Sequence, residues 1–204
     1  QNTLEIMTEQ YCIRLARKGD IKAIKEIELK SAVRFKGTGL IDDLLDHHFE
    51  QGLLKELIGD GQVWVAEPIF LAAPAAPADQ SQGSQSVNPQ GPVGFAIATV
   101  LGPVAYLEEV DVLPSHGRRG LGRRLVETVA DWARGRNFPH LTLSTFLNIA
   151  WNAPFYSTMG FEKLPKNQWS KEIEEIYMLE QKLGLPVEER TFMRLQLSNK
   201  QISQ

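Results

Sequence analysis

Residues 110–125 read VDVLPSHGRRGLGRRL, and this stretch decides the fold. A run of apolar and β-branched residues stops at Pro114, and a short polar loop carries Gly117, Gly120 and Gly122. Apolar residues then recur at helical spacing through Leu121, Leu125, Val129 and Trp132. The order is strand, glycine loop, helix. The first N–H groups of a helix lack intrahelical partners and sit at the positive end of its dipole, and glycine removes the side chains that would keep a phosphate from them. The stretch therefore reads as an anion site, with Arg118, Arg119, Arg123 and Arg124 forming a local basic patch. Two better-known glycine motifs fail on their own chemistry. Gly117 and Gly122 have the spacing of a nucleotide P-loop, but Arg123 and Arg124 follow, so the magnesium-holding hydroxyl is missing. The dinucleotide fingerprint fails because its third glycine position is Leu125.

Composition sets the frame around this loop. A chain of 204 residues, 43% hydrophobic, suffices for one substantial core and is short for two. Residues 11–198 accordingly read as one domain, with residues 1–10 an N-terminal extension or cloning remnant and 199–204 a tail. A net charge of −3 argues against nucleic acid as the main partner, and the arginine patch is the size of a cofactor, not of a duplex. Cys12 is the single cysteine, so no intrachain disulfide can form and no cysteine cluster can hold zinc. The opening QNTLEIMTEQ lacks a basic start and an apolar run, and no stretch approaches the length of a membrane span. A cytoplasmic protein is expected, with no membrane partner.

The remaining elements follow from periodicity and turn chemistry. A strand is expected over 11–16, then Asp20 as N-cap of a helix to about 30 with Ile21, Ile24 and Ile27, and Leu29 nearby, on its apolar face. A second helix is expected over about 40–58 through Leu44, Leu45, Phe49, Leu53, Leu54 and Leu57, with a glycine hinge at 35–39 before it. Strands at 63–70, 93–100 and 105–112 are predicted, the first two joined by an Ala, Pro, Gln, Ser and Gly stretch at 72–92 that reads as a mobile inserted loop. Gly102-Pro103 marks the turn between the last two. After the helix to about 136 come a strand at 141–146, a short helix near 153–159, a strand from Phe161, a charged helix over 170–183 and a strand at 191–197. Strands that mostly neighbour in sequence, with helices on both faces, give an α+β fold around a mixed sheet.

With its strand ending near Val-x-Pro, Gly120-Leu121-Gly122 and the following helix, the chain resembles the GNAT superfamily of N-acetyltransferases. A second block, Tyr156, Gly160 and Phe161, is similar to that family's Tyr-x-x-x-Gly-Phe ending. The resemblance runs from about Tyr11 to Leu197 and implies a central, mostly antiparallel mixed sheet and acetyl-CoA as acyl donor. It places the donor on Val110, Val112, Gly117, Arg118, Arg119, Gly120, Leu121, Gly122, Arg123 and Asn152. Two positions depart from the pattern. Gly117 stands where the family often puts Arg or Gln, and Ile149 stands where it often puts Asn, so an amide contact falls to Asn148 or Asn152 or is absent.

Acetyl transfer requires a neutral amine, a donor for the developing oxyanion and a proton for the leaving sulfur. Glu108 and Glu109 precede the glycine loop. Alternation along a strand sends them to opposite faces. The resemblance favours Glu108 as the base, with Glu109 the second candidate and a residue of the acceptor side. Tyr156 keeps its phenol proton at pH 7 and can serve the departing sulfur. A backbone N–H near Val110 can hold the oxyanion. The resemblance also sets Phe35, Phe146 and Trp151 along the acceptor pocket. His47, His48, His116 and His140 have no metal-binding spacing, so no metal is expected.

Three functions follow from these residues. The leading one is transfer of an acetyl group from acetyl-CoA to a primary amine of a small molecule in a ternary complex, by a monomer or homodimer. The second is a protein or peptide N-terminal or lysine acetyltransferase. The third is a non-catalytic acyl-CoA-binding module, to which Gly117 and Ile149 point and against which Tyr156 stands.

Overall fold

The computed structural model describes residues 10–35, 50–69 and 91–197. The element order is β1 (Gln10–Leu15), α1 (Ile21–Ala32), α2 (Gln51–Gly59), β2 (Val63–Ile69), β3 (Gly94–Leu101), β4 (Val104–Val112), α3 (Leu121–Gly135), β5 (His140–Phe146), α4 (Ala153–Ser157), β6 (Glu162–Lys163), α5 (Lys171–Lys182) and β7 (Arg190–Gln196). The expected strands and helices are present within a few residues of their predicted ends. The predicted helix over 40–58 is described only from Gln51, and the 72–92 loop falls almost wholly outside the described residues.

Seven strands form one sheet in the order β1-β2-β3-β4-β5-β7-β6. Every neighbouring pair is antiparallel except β4 with β5. The one parallel pair needs a crossover, and α3 supplies it. Helix α3 covers one face, where Leu121, Leu125, Val126 and Val129 pack on Trp64, Ala96, Ala98, Leu107 and Leu141. Leu125 and Val129 are fully buried, each contributing about 1.5–3 kcal/mol. Helices α1 and α2 cover the other face through Ile24, Ile27, Leu54 and Leu57 against Val65, Phe95 and Ile97. Further along that face, α5 packs Ile173 on Tyr106 and Phe192. Strand alternation explains the split, since Ala105 and Leu107 point to α3 while Tyr106 points to α5.

Three local expectations are corrected. Asp20 occupies the N-cap position of α1, but its carboxylate does not cap that helix. It accepts bonds from Arg14 at 2.7 and 3.0 Å and from the Arg17 N–H at 2.7 Å, tying β1 to the turn before α1. Leu29 is 57% exposed, because α1 buries the stripe of Ile24, Ile27, Glu28 and Ser31 instead. Finally, Ile97 opposes Glu109 while Ala98 opposes Leu107, so Glu108 is an extra residue bulged out of β4. Among the described residues no helix is long and apolar enough to cross a membrane.

Candidate active site

The site begins with a defect in the sheet. β4 and β5 run parallel but pair only at Ala105–Leu141 and Tyr106–Thr142. Beyond these pairs β4 continues to Val112 and β5 to Phe146 without facing each other, so the two strands splay and open a wedge at their C-terminal ends. Alternate N–H groups of β4 past Tyr106 therefore turn toward the wedge and away from any strand.

On the α3 side, the wedge is bordered by the glycine loop. After a single 3₁₀ turn at Pro114–His116, the chain adopts left-handed backbone at Arg118 (φ 61°) and Gly120 (φ 75°), and α3 starts at Leu121. No side chain caps that helix, which leaves its first amides for a ligand. Gly122 has no conformational need to be glycine, and a Cβ there would meet only Phe155 Cζ, at an ordinary 3.8 Å. Glycine early in a helix costs up to about 1 kcal/mol relative to alanine. The protein's own packing does not require that cost, which fits a diphosphate held close against the backbone.

The loop is braced from behind by β1. Arg119 Nη1 donates to the Tyr11 hydroxyl at 2.6 Å, that hydroxyl lies 2.9 Å from His116 Nδ1, and Arg124 Nη2 donates to the Tyr11 carbonyl at 2.9 Å. Arg123 reaches across to Thr158 Oγ1 at 2.9 Å, joining α3 to the end of α4. At Gly117 a Cβ would come within 3.2 Å of the Pro114 carbonyl, so this turn disfavours a side chain at that position.

On the α1 side stands a cluster of carboxyl groups. Glu109 opposes Ile97 and Asp111 opposes Phe95, and both of those residues belong to the core under α1 and α2. Glu109 and Asp111 are hydrogen-bonded to each other, and the buried Glu28 of α1 lies close enough to repel both. Burial, followed by the charges of Asp111 and Glu28, holds the Glu109 carboxyl well above the usual carboxylate range. Burial also pushes Asp111 up to about 7, against the opposing bond from Glu109 and the charge of Arg34. Glu109, raised by burial, thus faces an Asp111 that titrates near neutrality. Arg34 approaches Asp111 Oδ1 at 3.4 Å and the Val112 carbonyl at 3.3 Å, while its Nε is buried with no hydrogen-bond partner. Ser31 bonds the same carbonyl at 3.2 Å, so the end of α1 is fastened to the end of β4.

Tyr156 comes to this wedge from α4. Its ring packs on Phe155 and Phe161 at centroid distances of 5.2 and 5.5 Å. Burial raises its phenol above the ordinary value, and the charges of Asp111 and Glu109 raise it further, so it stays protonated.

This arrangement has relatives. The model of the acetyltransferase (GNAT) family matches residues 75–161, which span the glycine loop and Tyr156. Over that stretch the chain is similar to GNAT acetyltransferases. A GNAT-family acetyltransferase from Staphylococcus aureus superposes with a TM-score of 0.63 at 16% identity, covering 93% of this chain and all of that one. N-acetylglutamate synthase from Neisseria gonorrhoeae, solved with coenzyme A and N-acetyl-glutamate, gives 0.63 at 16% identity over 93% of this chain. The chain spans only 35% of that protein. The PaiA N-acetyltransferase from Thermoplasma acidophilum, solved with coenzyme A, gives 0.62 at 11% identity over 92% of this chain and 99% of that one.

Within this fold the residues expected from sequence occupy distinct places. Val110 and Val112 lie on β4 facing the α3 side, opposite Ala96 and Gly94. Asn152 precedes α4, and its Oδ1 accepts a 2.7 Å bond from Thr145 on β5, which holds α4 at the mouth of the wedge. Phe35 brings Phe146 and Trp151 together, with ring centroids at 5.9 and 6.2 Å. Glu108 is where the sequence argument went astray. Its bulged carboxylate accepts a 2.6 Å bond from Thr99, two residues along β3 from Ile97 and on the same face. Glu108 and Glu109 therefore share a face, because a bulge cancels one step of alternation. Burial and the charge of Glu180 raise the Glu108 carboxyl, against the bond from Thr99. Asp111, Glu28 and Arg34 were absent from the sequence expectation. The one available signal was the acid at i+2 from Glu109, which strand periodicity puts on the same face.

Proposed function

We propose that this protein transfers the acetyl group of acetyl-CoA to a primary amine of a small molecule, both bound together in the β4–β5 wedge. The observation that carries this reading is the convergence of three elements on one opening. These are an uncapped, glycine-lined helix N-terminus, a protonated phenol and a hydrogen-bonded carboxyl pair, of which Asp111 is pushed up to about 7 and Glu109 is raised by burial. The solved relatives that contain coenzyme A support the choice of donor.

In this reading the amides at Gly120, Leu121 and Gly122 and the arginines of the loop hold the diphosphate, and an unpaired β4 N–H near Val110 receives the thioester oxygen as charge develops there. An alkylamine reaches the site protonated, since its ordinary pKa is near 10. The Glu109–Asp111 pair takes that proton, with Asp111 the ionised partner. The pair lies closer to this task than Glu108, whose carboxyl is bulged out of β4 and held by Thr99. Tyr156 donates to the departing sulfur.

Titration of the protein with acetyl-CoA and with CoA in a calorimeter, followed by an amine screen read as thiol release, tests the proposal. Micromolar binding of both and release that depends on an added amine are expected. Absence of binding at millimolar cofactor would overturn it. Under saturating acetyl-CoA, Asp111→Asn should lower turnover more than Glu108→Gln, and the reverse order would return the base to Glu108.

A further inference from the structure

The carboxyl cluster on the α1 side of the wedge is faced by a guanidinium that is mostly unspent. Arg34 lies in the 3₁₀ turn Val33–Phe35 that follows α1. Among the described residues only Nη2 of its five-donor fork meets partners, Asp111 Oδ1 at 3.4 Å and the Val112 carbonyl at 3.3 Å, both long for a hydrogen bond. Nε is buried and unpaired among the described residues, Nη1 makes no bond among them, and the side chain is 34% exposed. Polar atoms held away from water are as a rule paired, so a cation left this bare at an open wedge points to a group that arrives from outside. Arg190, which stacks at 4.7 Å on the Phe146 ring, is by contrast spent on Glu180 at 3.0 Å and on Ser144 at 3.3 Å.

The surrounding charges constrain that group. Glu28, Glu109 and Asp111 stand on the same side of the wedge, so a lone carboxylate seated on Arg34 would also face the carboxyl cluster. A plain alkylammonium seated on Asp111 would stand beside the guanidinium, because the two side chains are 3.4 Å apart. Like charges at that range repel, and more strongly in a partly desolvated site than in water. An acceptor with ammonium and carboxylate on one carbon answers both, its ammonium on Asp111 and its carboxylate on Arg34 Nη1. The short spacing of its two charges matches two protein charges that nearly touch. A third point of contact lies next along the chain. Phe35 shares the turn with Arg34 and meets Phe146 and Trp151 at 5.9 and 6.2 Å, which leaves an apolar surface for the substituent on that carbon.

We infer, on the acetyl-transfer reading of the wedge, that the acceptor is a free α-amino acid with an apolar side chain and that Arg34 selects its carboxylate. In the transfer the nitrogen forms its bond to the acetyl carbon as the C–S bond breaks. One ammonium proton passes to Asp111 and a second reaches the sulfur by way of Tyr156. The products are an N-acetyl amino acid and free CoA.

Thiol release from acetyl-CoA, compared by kcat/KM, tests this with L-phenylalanine, L-phenylalaninamide and 2-phenylethylamine, and with L-leucine, L-leucinamide and 3-methylbutylamine. In each set the free amino acid should exceed the other two by at least about tenfold, because a site built to pair a polar group rejects ligands that lack it. L-Glutamate and L-lysine should fall below phenylalanine and leucine, and the opposite order would overturn the assignment of the aromatic cluster. Arg34→Gln should bring phenylalanine and 2-phenylethylamine within about threefold of each other, while Arg34→Lys, which keeps the charge without the planar fork, should retain part of the preference. The ratio is the decisive readout, since Arg34 also touches Asp111 and any effect on the base falls on both substrates alike. Equal kcat/KM for amino acid and decarboxylated amine in the wild type, or an Arg34→Gln variant that slows both and keeps their ratio, would overturn the inference and leave Arg34 as a tie between α1 and β4. Where no amine is acetylated, calorimetric titration of the protein with the same compounds, with and without CoA, separates the two readings. Phenylalanine binding that exceeds 2-phenylethylamine binding and is lost in Arg34→Gln keeps the amino-acid site and defeats acetyl transfer, and no binding of phenylalanine defeats the site.

Discussion

Replacing Asp111 by asparagine should raise the stability of the protein while removing most of its activity. Asp111 titrates at about 7 in the folded chain against an ordinary 3.8. Below 3.8 the group is neutral whether folded or unfolded and contributes no penalty. Between 3.8 and about 7 the unfolded chain ionises first, so stability falls as pH rises, and above that range the penalty is constant. At about 1.4 kcal/mol per pH unit, the gap sets an upper bound of about 4 kcal/mol. Asparagine removes that penalty but also loses the pair with Arg34, which at 3.4 Å and one-third exposure of the arginine contributes no more than about 1 kcal/mol. The expected net gain at pH 8 is about 1–3 kcal/mol, or a Tm higher by roughly 3–8 °C. It should shrink toward zero as pH approaches 4. In the same protein, turnover should fall by about 10²–10⁴, the usual contribution of a positioned base. Urea unfolding at pH 5 and pH 8, paired with thiol-release rates, measures both. An asparagine variant less stable than wild type at pH 8, or one that turns over within twofold of it, would refute the argument that this desolvated carboxyl is kept for catalysis.

Other expectations follow from the same site. Tyr156→Phe should lower kcat by about 10²-fold or more with little change in CoA affinity, since only the proton donor is removed; equal rates in the two proteins would count against its role. Gly122→Val should abolish CoA binding while leaving the thermal midpoint close to wild type, because a side chain there fills ligand space and meets little of the protein; retained micromolar affinity would move the diphosphate elsewhere. Tyr11→Phe should weaken CoA by about tenfold, the scale of one charge-assisted bond, by removing the hydroxyl that Arg119 and His116 share, and unchanged calorimetric affinity would make that brace irrelevant to the donor. Asp20→Asn should destabilise by roughly 3 kcal/mol, as loss of one partner from a mostly buried pair does. Burial alone would raise the Asp20 carboxyl, but the bonds from Arg14 and the Arg17 N–H outweigh it and hold it below the usual range. Its stabilisation is therefore present above the ordinary 3.8 and lost as pH falls through the lower folded value, so the variant should show a shallower acid limb in unfolding curves.

Local chemistry made the glycine loop and its helix readable in sequence. Gly120 and Gly122 mark a strand-to-helix turn whose amides must point outward wherever the turn sits, and Tyr156 follows at a fixed chain distance. The acceptor side was far less legible. Glu108 and Glu109 were assigned opposite faces by alternation, a rule that holds only for an unbroken ladder, and the bulge at Glu108 is set by how β3 pairs with β4. Asp111 looked like an ordinary strand residue, because its titration near neutrality comes from burial under helices remote in sequence and from the charge of Glu28 on α1.

The sequence by itself determined the elements, their order and the glycine turn before α3, since each follows from the spacing of apolar residues, glycine and charge over a few neighbours along the chain. Only the tertiary structure decided where the strands part, which carboxyl groups face one another and what lies beneath α5. The splay between β4 and β5, the Glu109–Asp111 pair and the Glu180–Arg190 pair all depend on contacts between residues distant in the chain. Electrostatic and packing energies at such contacts are functions of distance and burial, and one strand's periodicity carries neither.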